Sequence, residues 1–237
     1  MQEVIFQDLG RRSYKEVWDY QELLLKQNVD LKQAAFISPQ SDVKQVDTQH
    51  HLLFVEHSPV YTLGKSGKEE HVLISEAERA ERGIEYFHIN RGGDITFHGP
   101  EQLVGYPIFD LDKFKTDLGW YLRSLEEVII LTMADYGLKG ARSSGETGVW
   151  LDPDIKGKER KICAMGIKCS RWITMHGFAF NINTDLRFFD YIVPCGIQDK
   201  AVTSLEKELG HVVPMEEVKR KVLQHFQTVF QCRINGY

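Results

Sequence analysis

The apolar periodicity between Asp117 and Tyr136 constrains this chain most. Leu118, Tyr121, Leu122, Leu125, Val128, Ile129 and Met133 recur at three- and four-residue steps, which places them on one face of a helix, and Gly137 follows as its stop. Such a stripe needs an apolar partner, and the segments around it read as strands, so the helix is expected to pack on a sheet. From Gly148 to Asn183 the pattern is strand, polar turn over Asp152 to Arg160, strand, short break and strand, an antiparallel meander. His51 to His57 is a short apolar strand stopped by Ser58-Pro59, and Tyr61-Thr62-Leu63 before Gly64 is another extended piece. Ile84 to Ile89 and Asp94 to Phe97 are extended around a tight turn at Arg91-Gly92-Gly93. Three further helices are expected. Ser13 caps one of roughly four turns carrying Tyr14, Val17, Trp18, Leu24 and Leu25. Ser75 to Arg82, closed by Gly83, is short and polar, and Pro214 opens a last one with Val218, Val222, Phe226 and Val229 inside. Helices interspersed among clustered strands give the α/β (α+β) class, a mixed sheet flanked by helices. No repeat or Pro/Gly/Ser linker divides the chain, so residues 1–237 are read as one domain.

Composition removes several functions. With 42% apolar and 27% charged residues the chain can bury a core. Its 29 Lys+Arg against 34 Asp+Glu leave a net charge of −5, without the basic excess that a nucleic-acid or anionic-membrane partner requires. The longest apolar runs, Leu52 to Val55 and Val128 to Leu131, have the length of core elements and do not span a bilayer. Met1 to Phe6 lacks the pattern of an export or transit signal, and four cysteines are too few for a disulfide scaffold, so reduced thiols in a cytoplasm are expected.

A reduced thiol is available for chemistry. Cys195 stands between Pro194 and Gly196, a turn context that suits an exposed nucleophile, although a small apolar filler is the commoner fate of such a cysteine. Cys163, Cys169 and Cys232 read as core or surface positions. No C-x-x-C pair or His-x-x-x-His partner exists, so no metal is expected. His98 and His176 each precede a glycine, and either is a base for a thiol or a structural hydrogen-bond donor. Alternation places the Lys161 side chain on the face of Cys163 and Met165, where an ammonium must be paired or used; the alternative is a charge at the edge of the polar turn. Gly64-Lys65-Ser66 is not a phosphate loop, because position 59 is proline.

Together these residues resemble the lipoyl(octanoyl) transferase family. The resemblance runs through Asp8-Leu-Gly10 with Tyr14, Trp18 and Gln21, His57-Ser-Pro-Val-Tyr-Thr-Leu-Gly64, Arg91-Gly-Gly-Asp-Ile-Thr-Phe-His-Gly-Pro100 and Gln102-Leu-Val-Gly-Tyr-Pro107. It continues through Thr147-Gly-Val-Trp150, Lys161-Ile-Cys-Ala-Met-Gly166, Thr174-Met-His-Gly-Phe-Ala179 with Asn181 and Asn183, and Pro194-Cys-Gly-Ile197 with Thr203-Ser204. Carried over, it puts the acyl-thioester nucleophile on Cys195 and the thiol-activating lysine on Lys161. Substrate binding falls on Arg91, Gly92, Gly93, Asp94, Ile95, Thr96, Phe97 and His98, on Ala164, Met165 and Gly166, and on Gly177, Phe178 and Ala179. Two positions depart from the family pattern: Glu101, where glycine is usual, adds bulk and charge beside the acyl site, and Cys163 replaces alanine.

The implied fold is that of the biotin/lipoate protein ligase catalytic domain, with no second catalytic domain. The implied reaction, the first step of protein lipoylation, moves an octanoyl group from octanoyl-acyl carrier protein to a lysine of apo lipoyl domains. The acceptors are E2 subunits of 2-oxoacid dehydrogenases and the glycine cleavage H protein, and neither ATP nor metal is used. Backbone N–H groups at Gly166, Gly177 and Gly196 are candidates for an oxyanion site, with Met165 and Phe178 lining an apolar slot. Rival readings are an ATP-dependent lipoate/octanoate-protein ligase, a cysteine hydrolase using His98 or His176, and a non-catalytic acyl carrier partner.

Overall fold

The central helix, α3 (Leu118–Ala134), starts at the Asp117 carboxylate, which accepts the Trp120 N–H at 2.9 Å, and Gly137 closes its end with φ +75°. The computed structural model describes residues 1–37, 46–193 and 201–236. Tyr121, Leu125, Val128, Ile129 and Met133 are buried, while Leu122 leaves the stripe and faces the cavity described below. Beside α3 lies α5 (Met215–Phe230), opened by Pro214; Val218, Val222, Phe226 and Phe230 are buried in the same core and Val229 is half-buried.

This pair covers one face of a mixed sheet. The expected meander is β7 (Val149–Leu151), β8 (Arg160–Ser170) and β9 (Ile173–Asn181). Arg171 and Trp172 turn β8 into β9 with φ of 49° and 65°, the left-handed pair whose twist matches a two-residue hairpin. Next to β9 lies β6 (Gln102–Ile108), then β2 (His50–His57), both antiparallel to their predecessors. β1 (Gln2–Arg12) and β11 (Cys232–Asn235) extend this edge in parallel, and β10 (Ala201–Val202) pairs in parallel with β8 at the other. Among the described residues these eight strands run β10-β8-β9-β6-β2-β1-β11, with β7 also on β8.

A second, three-stranded sheet departs from the single sheet read in the sequence. After the Ser58-Pro59 break, β3 (Val60–Leu63) pairs in parallel with β4 (Glu85–His88) and antiparallel with β5 (Ile95–His98). Between β3 and β4 lies α2 (Glu76–Glu81), whose Ser75 and Glu78 form a reciprocal capping box. A short α4 (Leu205–Leu209), capped by Ser204, precedes α5.

Helix α1 (Tyr14–Ile37) has 24 residues, well beyond the four turns expected. Its second half is anchored by polar contacts. Asn28 exchanges hydrogen bonds with the Gln49 backbone at 2.8 and 2.9 Å, and buried Lys32 donates to Asp110 Oδ1 and the Arg171 carbonyl, both at 2.8 Å, as well as to Asp112. Among the described residues no helix is long and apolar enough to cross a membrane.

Candidate active site

The two sheets meet through the loop at residues 91–94. Its Arg91 guanidinium donates to the carbonyls of Gly92 (2.8 Å), Thr62 (3.2 Å) and Asp94 (2.7 Å), so the cation gathers backbone oxygens from β3 and from its own loop. The N–H groups of Gly64, Lys65 and Ser66 donate to Asp94, Arg91 and Gly93 at 3.2, 2.9 and 3.2 Å, and Gly92 N–H donates to Ile167 on β8 at 3.0 Å. This seating needs two glycines outside the loop. A Cβ at Gly64 would lie 2.2 Å from the Gly93 carbonyl oxygen, and one at Gly166 would lie 2.7 Å from that of Gly92.

Between loop, small sheet and main sheet lies a cavity of about 580 Å³, within the usual range of small-ligand sites. Arg91, Gly92, Gly93, Asp94, Ile95, Thr96 and His98 line it from one side, and Ala164, Met165, Gly166, Gly177, Phe178 and Ala179 from the other. Phe97 is the exception among the expected substrate-binding residues. Strand alternation turns its ring away, where it stacks on Phe188 at 4.7 Å and packs beside Tyr61 at 5.8 Å. Phe178 and Met165 also pack against the main core, so they form wall rather than mouth.

Lys161 lines the same cavity. Its Nζ sits 4.5 Å from the centre of the Trp150 ring and 3.9 Å from Glu146 Oε2. Of the face expected to carry Lys161, Cys163 and Met165, Lys161 and Met165 line the cavity and Cys163 does not. Pairing of β7 with β8 shifts register between Val149–Cys163 and Trp150–Lys161, and this irregularity sends Cys163 into the main core while Lys161 faces the cavity. Burial pushes the Cys163 thiol well up. Glu101 is likewise not beside the cavity: it is exposed at the β5–β6 turn with φ 59°, its N–H donating to Glu56 and its carboxylate accepting from Asn183. That left-handed backbone is the physical reason a glycine suits the position.

Cys195 and Gly196 lie outside the described residues. On the near side Val193 N–H donates to the His71 carbonyl at 2.8 Å, and on the far side Val202 pairs with Lys161 and Thr203 N–H donates to the Lys161 carbonyl at 3.0 Å. His71 also contacts the loop, its Nδ1 standing 2.6 Å from Asp94 Oδ2.

His98 and His176 both line the cavity and are buried. Burial pushes His176 down to about 3 and His98 well below the usual range, so both are neutral at pH 7. Residues assigned no binding role from the sequence also contribute: Tyr14, Tyr106 and Thr147, which stand there only within the matched motifs, and Glu146 and Ile167 line the cavity. Tyr14 reads as one more apolar helix position, and the loop carrying Glu146 has no periodicity that would flag it. No group of three or more His, Cys, Asp and Glu is placed to hold a metal ion among the described residues.

The family model for the lipoyl protein ligase A/B catalytic domain matches residues 13–227. An octanoyltransferase from Christiangramia forsetii is 56% identical over 98% of this chain and 97% of its own length. The chain belongs to the octanoyltransferase family. A second octanoyltransferase, from Cytophaga hutchinsonii, is 53% identical over 98% of the chain and 95% of its own length. The octanoyltransferase fold described above is shared with a bi-partite lipoate protein ligase from Thermoplasma acidophilum, solved in a study that includes its E2 lipoyl domain. That similarity has a TM-score of 0.69 at 14% identity and covers 100% of this chain and 86% of the ligase chain.

Proposed function

We propose that this chain transfers an octanoyl group from a carrier-protein thioester to a lysine of a lipoyl domain through a thioester on Cys195. The observation that carries the reading is the place of Lys161, which opens onto the same cavity as the 91–98 loop and the glycine-rich walls of β8 and β9. Six residues after Cys195 the chain forms β10, which pairs with Arg160 and Lys161. An ammonium beside a thiol favours the thiolate.

In the first half-reaction the Cys195 thiolate attacks the octanoyl carbonyl and the carrier thiol leaves with a proton from the Lys161 ammonium, which is left neutral. Thioester replaces thioester, so no nucleotide is needed. In the second the acceptor lysine attacks the enzyme thioester, an amide forms, the Cys195 thiolate leaves, and Lys161 takes the proton that the amine gives up. Neutral imidazoles at His98 and His176 do not compete for the role of cation beside the thiolate. Apolar wall from Met165, Ile167 and Phe178 suits the acyl chain, whose seven methylene and methyl groups contribute about 6 kcal/mol at ~0.8 kcal/mol each.

The donor is octanoyl-acyl carrier protein and the acceptors are E2 lipoyl domains and the glycine cleavage H protein, in the cytoplasm, without ATP or metal. The ligase alternative is not favoured: relatives 48–56% identical over nearly the whole chain carry the octanoyltransferase name, whereas the ligases resemble it in fold at 12–14% identity. The test is intact mass spectrometry after incubation with octanoyl-carrier protein and no ATP, with and without apo lipoyl domain. The expected result is an octanoyl adduct that moves to the lipoyl-domain lysine and is absent from Cys195→Ala. Transfer that requires free octanoate plus ATP and survives Cys195→Ala would overturn the reading.

A further inference from the structure

Two acids line the cavity among the described residues, Asp94 and Glu146. Asp94 is held by its surroundings: Oδ1 accepts the Ile95 N–H at 2.7 Å and Oδ2 stands 2.6 Å from His71 Nδ1. Glu146 stands at the Lys161 end, its Oε2 3.9 Å from Nζ, with the two side chains 19% and 13% exposed. Other ion pairs in this fold close further. Arg160, the residue before Lys161, reaches Asp152 at 2.6 Å and Glu208 at 2.7 Å, and Lys32 reaches Asp110 at 2.8 Å. At 3.9 Å carboxylate and amine are too far apart for a direct hydrogen bond, yet both can lie about 2.9 Å from a third polar atom.

The loop that carries Glu146 is tied down on both sides. Ala141 and Trp150 exchange backbone hydrogen bonds at 2.8 and 2.9 Å, the Glu146 N–H donates to the Ser143 carbonyl at 3.3 Å, and the Gly148 N–H donates to buried Glu126 at 3.0 Å. Gly145 takes φ +77°, the left-handed backbone of a tight turn, and Gly145, Glu146 and Thr147 line the cavity together. Trp150, which closes the loop, also pairs with Lys161 across β7 and β8, and its ring centre lies 4.5 Å from Nζ. One frame therefore sets the carboxylate and the amine side by side.

The second half-reaction needs a carboxylate in this place. A lysine arrives as an ammonium, with a pKa of about 10.4, and on its way to an amide nitrogen it gives up two protons. Lys161, left neutral by the first half-reaction, takes one. Its pair with Glu146 has then lost its cation and kept its carboxylate. We propose that Glu146 receives the acceptor lysine: its carboxylate accepts a hydrogen bond from the incoming ammonium, seats it against the neutral Lys161 amine, and passes the second proton to solvent. The proposal rests on the octanoyl-transfer reading above. Octanoyl-enzyme, acceptor ammonium and neutral Lys161 give the amide, the Cys195 thiolate, the Lys161 ammonium and one proton in water; the C–S bond breaks and the C–N bond forms. Burying an ammonium without a partner in a cavity with apolar walls is costly, whereas a hydrogen bond to a charged group strengthens binding by about ten- to a hundredfold. Until the enzyme thioester forms, the carboxylate faces the ammonium of Lys161 itself, so the acceptor is favoured only after the donor has reacted.

The test starts from octanoyl-enzyme already formed and follows its loss by mass spectrometry with two acceptors, apo lipoyl domain and hydroxylamine, a nucleophile that is uncharged at neutral pH. The readout is the ratio of kcat/KM for the lipoyl domain to the second-order rate constant for hydroxylamine within each protein, which neither slower acylation nor a partly inactive preparation moves. The expected result is a fall of that ratio by about tenfold or more in Glu146→Gln, which keeps the shape and removes the charge. Glu146→Ser should show the same fall, and serves alone should Glu146→Gln prove unfolded by circular dichroism. A wild type that forms the adduct and transfers it, with the ratio in the folded variants within threefold of its own, overturns the role of Glu146 alone. A wild type that forms no octanoyl adduct removes the octanoyl-transfer reading and the role of Glu146 with it.

Discussion

Replacing Gly64 by alanine should damage the site more than replacing Gly92, although Gly92 is the one inside the substrate loop. Neither glycine has a left-handed backbone, so an added methyl acts through space alone. At Gly64 the Cβ would stand 2.2 Å from the Gly93 carbonyl oxygen, 2.9 Å from its carbon and 3.0 Å from the Arg91 oxygen, all backbone atoms with no side-chain rotation to relieve the clash. To reach ordinary contact the loop must move by more than an ångström. The hydrogen bonds most exposed to that shift are Gly64 to Asp94, Lys65 to Arg91 and Ser66 to Gly93, at 3.2, 2.9 and 3.2 Å. Losing two or three at about 1 kcal/mol each lowers stability by about 2–3 kcal/mol, and an ångström of misplacement at a reacting group slows the reaction by about a hundredfold. At Gly92 the only atom within 4 Å of the added Cβ is the Ile167 carbonyl oxygen at 3.3 Å, which a few tenths of an ångström relieve. The assays are urea unfolding followed by circular dichroism and the rate of octanoyl-adduct formation by quenched-flow mass spectrometry. If Gly64→Ala keeps its unfolding midpoint and acylates within threefold of the wild type, or if Gly92→Ala is the more damaged, the account of how the loop is seated is wrong.

Three other outcomes are expected. Lys161→Arg should retain acylation but lose transfer to the lipoyl domain, and Lys161→Met should slow acylation itself by about a hundredfold or more; equal adduct rates in the two variants would remove the charge from the mechanism. Glu126 is fully buried on α3 and accepts Gly148 N–H at 3.0 Å, Arg123 at 2.6 Å and Arg142 at 3.0 Å. Both arginines can turn to solvent but the buried amide cannot, so Glu126→Ala should lower stability by about 2–3 kcal/mol and Glu126→Gln, which can still accept from Gly148, by less than half of that, as read by denaturant titration. Burial pushes His50 and His57 down to about 4 and His176 to about 3, below the unfolded value of 6.5. Below pH 6.5 the unfolded chain then binds more protons than the folded one, so stability falls with pH, by a limit on the order of 3 kcal/mol per site; a melting temperature that stays flat from pH 7 to pH 5 would contradict the burial of these rings.

How far the sequence was legible follows from which forces shaped each element. Periodicity located α3, α5 and the β7–β8–β9 meander because each buries one apolar face, the property that a repeat of 3.6 or 2 records. It stopped α1 at four turns because Asn28 and Lys32 continue the buried face with polar groups, whose partners at Gln49, Asp110 and Arg171 lie elsewhere in the chain. β1 offered only Val4 and Phe6 as buried positions, and β6 was obscured by Gly105 and Pro107, although all seven of its residues are buried between two neighbours. Within the site, the expected substrate-binding residues came from a resemblance carried position by position, and all except Phe97 line the cavity. Phe97 differs because a motif is contiguous in sequence whereas a strand presents alternate residues, so a run of eight in which every member faces one ligand is not something an extended chain can build. The polar part of the cavity wall was beyond reach for another reason. Tyr14, Tyr106 and His176 come from α1, β6 and β9, and only the pairing and packing of those elements brings them to one cavity, which no spacing along the chain encodes.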